Sequence, residues 1–166
     1  MPDTLPTAVP SFYSADALRP DNSLGLLMKR VMQSLRLQID RRLAAQDLTH
    51  AQWLPLFKLA RGDCDTVAAL ARDQALDPGA MTRALNRLEA KGLVQRVRSQ
   101  QDRRVVKLVL TEAGHAAAAS VPPVLAEVLN AHLAGFSEAE WHTLIDLLQR
   151  LAATGDALRD AAKDLS

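Results

Sequence analysis

Apolar residues recur with the period of an α-helix along most of this chain. From Asn22 or Ser23, either of which is a suitable N-cap, apolar residues three or four positions apart predict a long helix that ends near Gln46. Ser137 and Glu140 have the spacing of a capping box and begin a last amphipathic helix. Gly155 is expected to end it, and continuation of the polar tail as helix is the alternative. Two long helices, each with one apolar face, are therefore predicted on either side of the middle of the sequence.

Two shorter helices are predicted to follow the first long one. Thr49 and Gln52 form another capping box, because a threonine hydroxyl can accept from the third helical amide while the glutamine side chain reaches back. Gly62 is expected to end that helix, and Asp65 or Thr66 can cap a short helix after it.

The next helix has boundary signals at both ends. Asp77 is a favourable N-cap, Pro78 suits the first helical position, and Gly92 stands just past the expected end at Lys91. Three apolar residues form one stripe along it: Met81, Leu85 and Leu88. Its other face is small, polar or basic: Gly79, Thr82, Arg83, Asn86 and Arg87. This helix is expected to pack by one side and to present a basic side to solvent.

Only one part of the sequence has a pattern typical of β structure. Residues 93–98 and 105–110 enclose a polar run, which predicts a hairpin with a charged tip. Thr111 can cap a following helix, in which Pro122 and Pro123 predict a kink. Two short helices followed by a basic hairpin are typical of a winged helix-turn-helix. The expected fold class is therefore mainly α, a winged helix-turn-helix with long N- and C-terminal helices.

Charge is unevenly distributed, although the whole chain has a net charge of only +1. Residues 77–107 contain eight basic and three acidic side chains, a net +5, whereas residues 108–166 contain three basic and eight acidic ones, a net −5. A polyanion is therefore expected to be attracted by the middle of the chain and repelled by residues 108–166. Together with a helix-turn-helix, this distribution indicates double-stranded DNA as the partner.

The basic side of the helix that begins at Pro78 matches the hydrogen-bonding code of the major groove. Arg83 can donate two hydrogen bonds to guanine and Asn86 can pair with adenine, so these two are the expected base readers. Gly79 is expected to let free amides at the helix N-terminus approach a phosphate. A solvated helix face is the alternative interpretation, but the neighbouring hairpin is also basic. The expected DNA contacts of this helix are Pro78, Gly79, Thr82, Arg83, Asn86 and Arg87.

The hairpin supplies the other expected DNA contacts, which are Arg98, Asp102, Arg103 and Arg104. An arginine at the tip can enter a minor groove, where narrow A·T-rich tracts concentrate negative potential. Asp102 is expected to orient Arg104 through charge-assisted hydrogen bonds. The alternative for that pair is an ordinary surface ion pair.

Several other classes of protein are not indicated. Cys64 is the only cysteine, so neither an intrachain disulfide nor a cysteine-based zinc site can form, and no metal or cofactor is expected. The sequence has no signal-peptide pattern and no apolar stretch of membrane length, which favours the cytoplasm and no membrane association. Its histidines are scattered and it has no nucleophile motif or phosphate-binding glycine loop, so an enzyme is not expected. A winged-helix dimer that docks a protein partner, without specific DNA binding, is the alternative function.

The chain resembles the multiple-antibiotic-resistance regulator (MarR) family of bacterial transcription factors over about residues 24–151. The segments that carry the resemblance are 48–53, 67–71, 81–94, 102–104 and 110–114. The resemblance implies a homodimer in which the first and last helices of both subunits intertwine. It further implies that the two winged domains read a pseudo-palindromic operator, usually as a repressor. A dimer also follows from the residues, since one recognition helix reads too few bases for regulatory specificity.

The resemblance also implies release of the DNA by a small aromatic or phenolic acid. His50 and Trp53 match positions near the family's ligand site, where they could offer an imidazole partner and a stacking surface. The alternatives are that Trp53 packs in the core and that His50 lies at the surface. The expected organisation is a flexible arm over residues 1–21, a dimerisation region over 22–48 and 112–155, a DNA-binding domain over 49–111, and a tail over 156–166.

Overall fold

Seven α-helices and one β-hairpin form the part of the chain that the computed structural model describes, residues 10–99, 102 and 105–163. The elements follow in this order: α1 (Leu24–Leu43), α2 (His50–Arg61), α3 (Val67–Asp73), α4 (Pro78–Ala90), β1 (Val94–Arg98), β2 (Val106–Leu110), α5 (Glu112–Ala119), α6 (Val121–His132) and α7 (Glu138–Lys163). A 3₁₀ turn over Ala44–Gln46 follows α1. The predicted class, mainly helical with a winged helix-turn-helix, is confirmed.

Residues 29–132 form one compact unit, and the segments before and after it form a second. None of the helices in the described ranges combines the length and the apolarity required to cross a bilayer.

The core of the larger unit is built from one face of each helix. Its most deeply buried side chains, all of them apolar, are Leu43, Pro55, Leu56, Leu70, Met81, Leu85, Leu88, Val121 and Val128. Burying a leucine or methionine side chain contributes about 1.5–3 kcal/mol of hydrophobic free energy, so this cluster is what holds α4 in place. The stripe of Met81, Leu85 and Leu88 predicted for α4 is confirmed.

The helix-turn-helix consists of α3, a turn and α4. Thr66 caps α3, because its Oγ1 accepts a hydrogen bond from the amide of Ala69 at 3.2 Å. The turn passes through Ala75, whose positive φ of 49° is uncommon for a residue with a Cβ. The amide of Leu76 then donates to the carbonyl of Ala71 at 2.9 Å and directs the chain into α4.

The wing is a two-stranded antiparallel ribbon in which Val94 of β1 pairs with Leu110 of β2 and Arg98 pairs with Val106. Val94, Leu108 and Leu110 are buried in the core. The amide of Leu108 donates to the carbonyl of Asp65 at 2.7 Å, which attaches the ribbon to the segment that leads into α3. The hairpin expected over residues 93–98 and 105–110 is therefore present.

The start of α1 is hydrogen-bonded to the segment before it. The hydroxyl of Tyr13 accepts from the amide of Leu24 at 3.0 Å and donates to the carbonyl of Asn22 at 2.9 Å. Ser23 occupies the cap position, and its Oγ accepts from the amide of Leu26 at 3.4 Å. The described part of the expected arm, residues 10–21, contains turns and no regular helix.

Two sequence expectations about helices differ from the structure. Gly155 does not end the last helix, because α7 continues through it to Lys163. A glycine in a helix interior costs only about 0.5–1 kcal/mol relative to alanine, too little to stop a helix of 26 residues. The interruption expected at Pro122 and Pro123 is present, but it is a break at Ser120 between α5 and α6 and not a kink in one continuous helix. The two prolines lie in the first turn of α6, where their missing N–H groups would have no helical partner anyway.

Candidate nucleic-acid interface

One side of α4 is open to solvent. Thr82, Arg83, Asn86 and Arg87 are exposed on it, while Met81, Ala84, Leu85 and Leu88 are buried on the opposite side. The 3.6-residue period places the four exposed residues on adjacent turns of one face. This set, which we call the α4 face, presents two cations, an amide and a hydroxyl together.

The N-terminus of α4 is closed by its own cap. Asp77 accepts hydrogen bonds from the amide of Gly79 at 2.9 Å and from the amide of Ala80 at 2.8 Å. These two hydrogen bonds hold the pKa of Asp77 below its ordinary value. The amides expected to be free for a phosphate are therefore occupied, and that part of the sequence prediction is wrong. The physical reason is that a capping carboxylate takes the position that a phosphate oxygen would have.

Gly79 leaves room for two charged neighbours. A Cβ at this position would lie 3.2 Å from Oδ1 of Asp77 and 3.4 Å from Nη1 of Arg83. The absence of a side chain thus lets the capping carboxylate and the guanidinium approach each other. Pro78 precedes Gly79 at the first helical position, where its ring favours the helical φ.

Thr82 and Arg83 present different chemistry on the α4 face. The hydroxyl of Thr82 donates to the carbonyl of Pro78 at 2.8 Å, so its oxygen and its methyl group are what it offers to a ligand. The side chain of Arg83 is 70% exposed, and its nearest acid is Asp77 at 3.8 Å. An exposed pair at that distance is weak, so the guanidinium can turn toward another anion.

Asn86 is linked to the wing. Its Oδ1 accepts a hydrogen bond from Nη2 of Arg96, on β1, at 2.8 Å, and Nη1 of Arg96 bonds to the carboxylate of Glu89. Sequence reasoning did not find this contact. Asn86 and Glu89 are neighbours on α4 by their spacing of three residues, but Arg96 is brought to them only by the return of the chain along β1.

The basic surface is smaller than the sequence charge implies. Lys91 pairs with Asp47 at 2.8 Å, and Lys107 pairs with Asp65 at 2.7 Å. Arg96 is paired with Glu89 in the same way. Asp47 and Asp65 lie outside residues 77–107, so the net +5 of that segment overstates the positive charge near α4. Counting charge along the chain cannot show which acids fold against which bases.

The wing residues are described in part. Arg98 is exposed at the end of β1. Asp102 is exposed, and its carbonyl accepts a hydrogen bond from the amide of Val105 at 2.9 Å. Arg103 and Arg104 lie outside the described residues. The expectation that Asp102 orients Arg104 therefore stays a prediction.

His50 and Trp53 lie together at the start of α2. Their rings meet edge to face, with centroids 5.0 Å apart. Trp53 is only 4% exposed, and its Nε1–H donates to Oδ1 of Asp40 at 3.2 Å, so in this conformation its ring faces are in the core. His50 is half-buried, and burial, followed by the nearby Arg36 cation, lowers its pKa. Its Nδ1 is buried without a hydrogen-bond partner among the described residues.

A winged helix-turn-helix with an exposed, partly basic second helix defines a class of DNA-binding proteins. Comparison with known proteins gives the same class. The MarR family model matches residues 48–106, which run from the start of α2 through β1 into β2. An uncharacterized HTH-type transcriptional regulator, YdcH of Bacillus subtilis (strain 168), is 30% identical over 125 residues, which cover 73% of this chain and 85% of that protein.

Solved structures with this fold are also similar. The transcriptional regulator PA3341 is 32% identical, with a TM-score of 0.74 over 81% of this chain and 99% of that one. The reduced form of MarR from E. coli is 29% identical, with a TM-score of 0.69 over 78% of this chain and 96% of that one. BpsR of Bordetella bronchiseptica, 22% identical, shares the fold with a TM-score of 0.68 over 80% of this chain and 94% of that one. The chain belongs to the MarR family and is a DNA-binding transcriptional regulator.

Proposed function

We propose that this regulator is a homodimeric repressor that binds a pseudo-palindromic operator and is released from it by a small aromatic or phenolic acid. It would act in the cytoplasm, the compartment that the sequence favours. The observation that carries the proposal is the α4 face, where Arg83 and Asn86 are exposed side by side on a helix held by a buried apolar stripe. Arg98 at the end of β1, and Arg103 and Arg104 beyond it, are the proposed wing contacts.

Exposed apolar side chains on the long helices support a dimer. On α7, large apolar residues are exposed over most of its length: Trp141, Ile145, Leu147, Leu148, Leu151 and Leu158. Apolar residues are also exposed along α1: Leu24, Leu26, Met28, Val31, Met32 and Leu37. Contiguous apolar faces of this size usually mark a protein interface, and a two-fold axis would give two α4 faces the symmetry of a palindrome.

The surroundings of His50 support an acidic aromatic ligand. The unpartnered Nδ1 is a buried acceptor or donor that a phenolic hydroxyl or a carboxyl group could satisfy, and an unsatisfied buried group of this kind costs about 1–3 kcal/mol. Arg36 supplies a nearby cation, which the carboxylate of Asp40, 3.7 Å from its Nε, offsets in part. In the fold relative BpsR, DNA binding is regulated by 6-hydroxynicotinic acid. We propose that His50 contacts the acid and that Trp53 supports the ring of His50.

DNA binding is tested by titrating duplexes from the chain's own promoter region and a scrambled duplex over a series of salt concentrations. Steep weakening with salt and a clear preference for the promoter are expected. Arg83→Ala should reduce that preference about 5-fold to 150-fold, the equivalent of one base contact. Arg98→Ala should weaken binding to both duplexes alike. Arg41→Ala, an exposed arginine on α1, is the matched control and should change neither.

Equal affinity for promoter and scrambled DNA at every salt concentration would overturn sequence-specific binding. That result would favour the alternative, a winged-helix dimer that docks a protein partner. Expression of a reporter gene from the bound promoter, with and without the protein, separates a repressor from an activator.

The dimer is tested by light scattering on Leu148→Asp. The wild-type chain should have the mass of two subunits at micromolar concentration and the variant the mass of one. Gln149→Asp introduces the same charge one position along α7 and should remain dimeric. A wild-type monomer would overturn the proposal.

The ligand is tested with a panel of hydroxylated aromatic acids. A compound that raises the thermal midpoint and also releases the promoter duplex is expected, and both effects should be lost in His50→Phe. To move an equilibrium from 1:99 to 99:1, such a ligand must prefer the released state about 10⁴-fold. If no compound both stabilises the protein and frees the DNA, the effector part of the proposal fails.

A further inference from the structure

We infer that Arg96 determines which base Asn86 reads, by holding the oxygen of its amide and leaving the Nδ2 group as a donor toward the DNA. In this arrangement Asn86 favours guanine over adenine. The inference rests on the proposed role of the α4 face, and it assigns a specificity-determining role to a residue of the wing strand.

The contact has one possible orientation. Arginine carries only donors, so the amide atom that it bonds to must be the oxygen. The distance of 2.8 Å between Nη2 of Arg96 and Oδ1 of Asn86 is that of a charge-assisted hydrogen bond. Rotating the amide by 180° would place its NH₂ group against a guanidinium, with two donors facing each other. The Nδ2 group is therefore directed away from Arg96.

Glu89 keeps Arg96 in place. Its carboxylate bonds to Nη1 of the same guanidinium whose Nη2 holds Asn86, so the planar fork is fixed at two points. The side chain of Arg96 is only 28% exposed, and its charge is balanced by Glu89. Arg96 is therefore a positioning residue and not a phosphate contact. Neither Arg83 nor Arg87, the two arginines of α4, has this pair of partners in the described hydrogen bonds.

The orientation of the amide has a consequence for base recognition. Asparagine reads adenine by accepting from N6 with its oxygen while it donates to N7 with its nitrogen. Guanine presents two acceptors, N7 and O6, at the same edge of the major groove. The oxygen keeps one lone pair beyond the hydrogen bond from Arg96, so it is a weaker acceptor for the N6 group of adenine, whereas both N–H donors of Nδ2 remain for the two acceptors of guanine.

The inference is tested by selecting binding sites from a pool of random duplexes and sequencing them. Asn86→Ala identifies the base pair that Asn86 reads, because preference is lost at that position alone. The wild-type chain should select guanine over adenine there about fivefold or more. Arg96→Met should shift the ratio toward adenine by at least a similar factor. Asn86→Ala combined with Arg96→Met should match Asn86→Ala alone.

Two further variants sharpen the test. Arg98→Met makes the same change on the same strand and should leave the guanine preference intact while it lowers affinity. In Asn86→Asp one carboxylate oxygen can still accept from Arg96, while the other replaces the Nδ2 donor with an acceptor toward the DNA. The base preference should therefore move toward cytosine, whose N4 group is a donor.

Loss of fold would not hide the result. Circular dichroism and thermal unfolding of each variant show whether it is folded. If Arg96→Met does not fold, Glu89→Gln takes its place, because it weakens the hold on the Arg96 guanidinium without removing it. Glu89→Gln should shift the guanine-to-adenine ratio toward adenine by a smaller factor. Three results would each overturn the inference. The wild-type chain could select adenine at the base pair read by Asn86, the Arg96 and Glu89 variants could keep the wild-type base preference, or Asn86→Ala could lose no base preference at all. Failure of the wild-type chain to enrich any sequence would instead overturn the proposed function.

Discussion

Nη2 of Arg83 lies 3.8 Å from Oδ2 of Asp77, the carboxylate that caps the helix carrying both residues. The cap and the expected base reader are thus in electrostatic contact. Because both side chains are largely exposed, their attraction contributes little to stability. The pair therefore leaves the guanidinium of Arg83 able to turn toward another anion.

Replacement of Asp77 should lower stability in a pH-dependent way. Asp77→Ala removes both cap hydrogen bonds and should lower the thermal midpoint at pH 7, whereas Asp77→Asn, which keeps an oxygen acceptor, should lower it less. Since the pKa of Asp77 is lowered in the folded chain, its ionised cap stabilises fully above about pH 4, and this contribution is lost as the pH falls through the lowered value. The difference between wild type and Asp77→Ala should therefore shrink on acidification. A difference in thermal midpoint between wild type and Asp77→Ala that stays constant from pH 7 to pH 2 would contradict a stabilising role of the ionised Asp77 cap.

Gly114 should not tolerate a side chain. A Cβ at this position would lie 1.9 Å from the carbonyl oxygen of Leu93, where α5 begins against the wing. Gly114→Ala must displace backbone and should lower the free energy of unfolding by about 3 kcal/mol, measured by urea denaturation. Gly155→Ala is the matched control, because nothing lies within 4 Å of its Cβ position. That change in a helix interior should raise stability by about 0.5–1 kcal/mol, and equal effects of the two substitutions would refute the argument.

The hydrogen bond from Trp53 to Asp40 should couple α2 to α1. Trp53→Phe keeps most of the buried ring and loses the donor, so the free energy of unfolding should fall by about 1 kcal/mol. A double-mutant cycle with Asp40→Ala measures the interaction, which should be about 1 kcal/mol because removing either partner removes the same bond. Strictly additive effects would show that the bond contributes nothing.

His50 should make stability fall on mild acidification. Burial and Arg36 lower its pKa in the folded chain, so the unfolded chain binds a proton first as the pH decreases. The contribution of the neutral imidazole is complete above about pH 6.5 and is lost between that value and the lower pKa of the folded state. His50→Gln should flatten the dependence of the unfolding free energy on pH in this window. A steeper dependence of the unfolding free energy on pH in His50→Gln would contradict a lowered pKa of His50 in the folded chain.

Much of the fold could be predicted because its signals are local. Asp77, Pro78 and Gly92 bracket α4 through contacts within a few residues of each other, and the capping boxes at Thr49 and Ser137 act over three residues. The polar run between residues 93–98 and 105–110 predicted the hairpin in the same way. Where a local signal was weak, prediction failed: Gly155 lowers helix propensity too little to oppose the residues on either side of it.

The amino-acid sequence by itself thus determined the class of fold, the order of the elements and the residues on the outer side of α4, because propensity, capping and periodicity depend on neighbours along the chain. Tertiary structure alone decided how those residues are used. Arg96 meets Asn86 and Glu89, Lys91 meets Asp47, and Lys107 meets Asp65 only after the chain has folded back on itself. Whether a charged side chain is free for DNA or held by a partner depends on distances in space, which spacing along the chain does not encode.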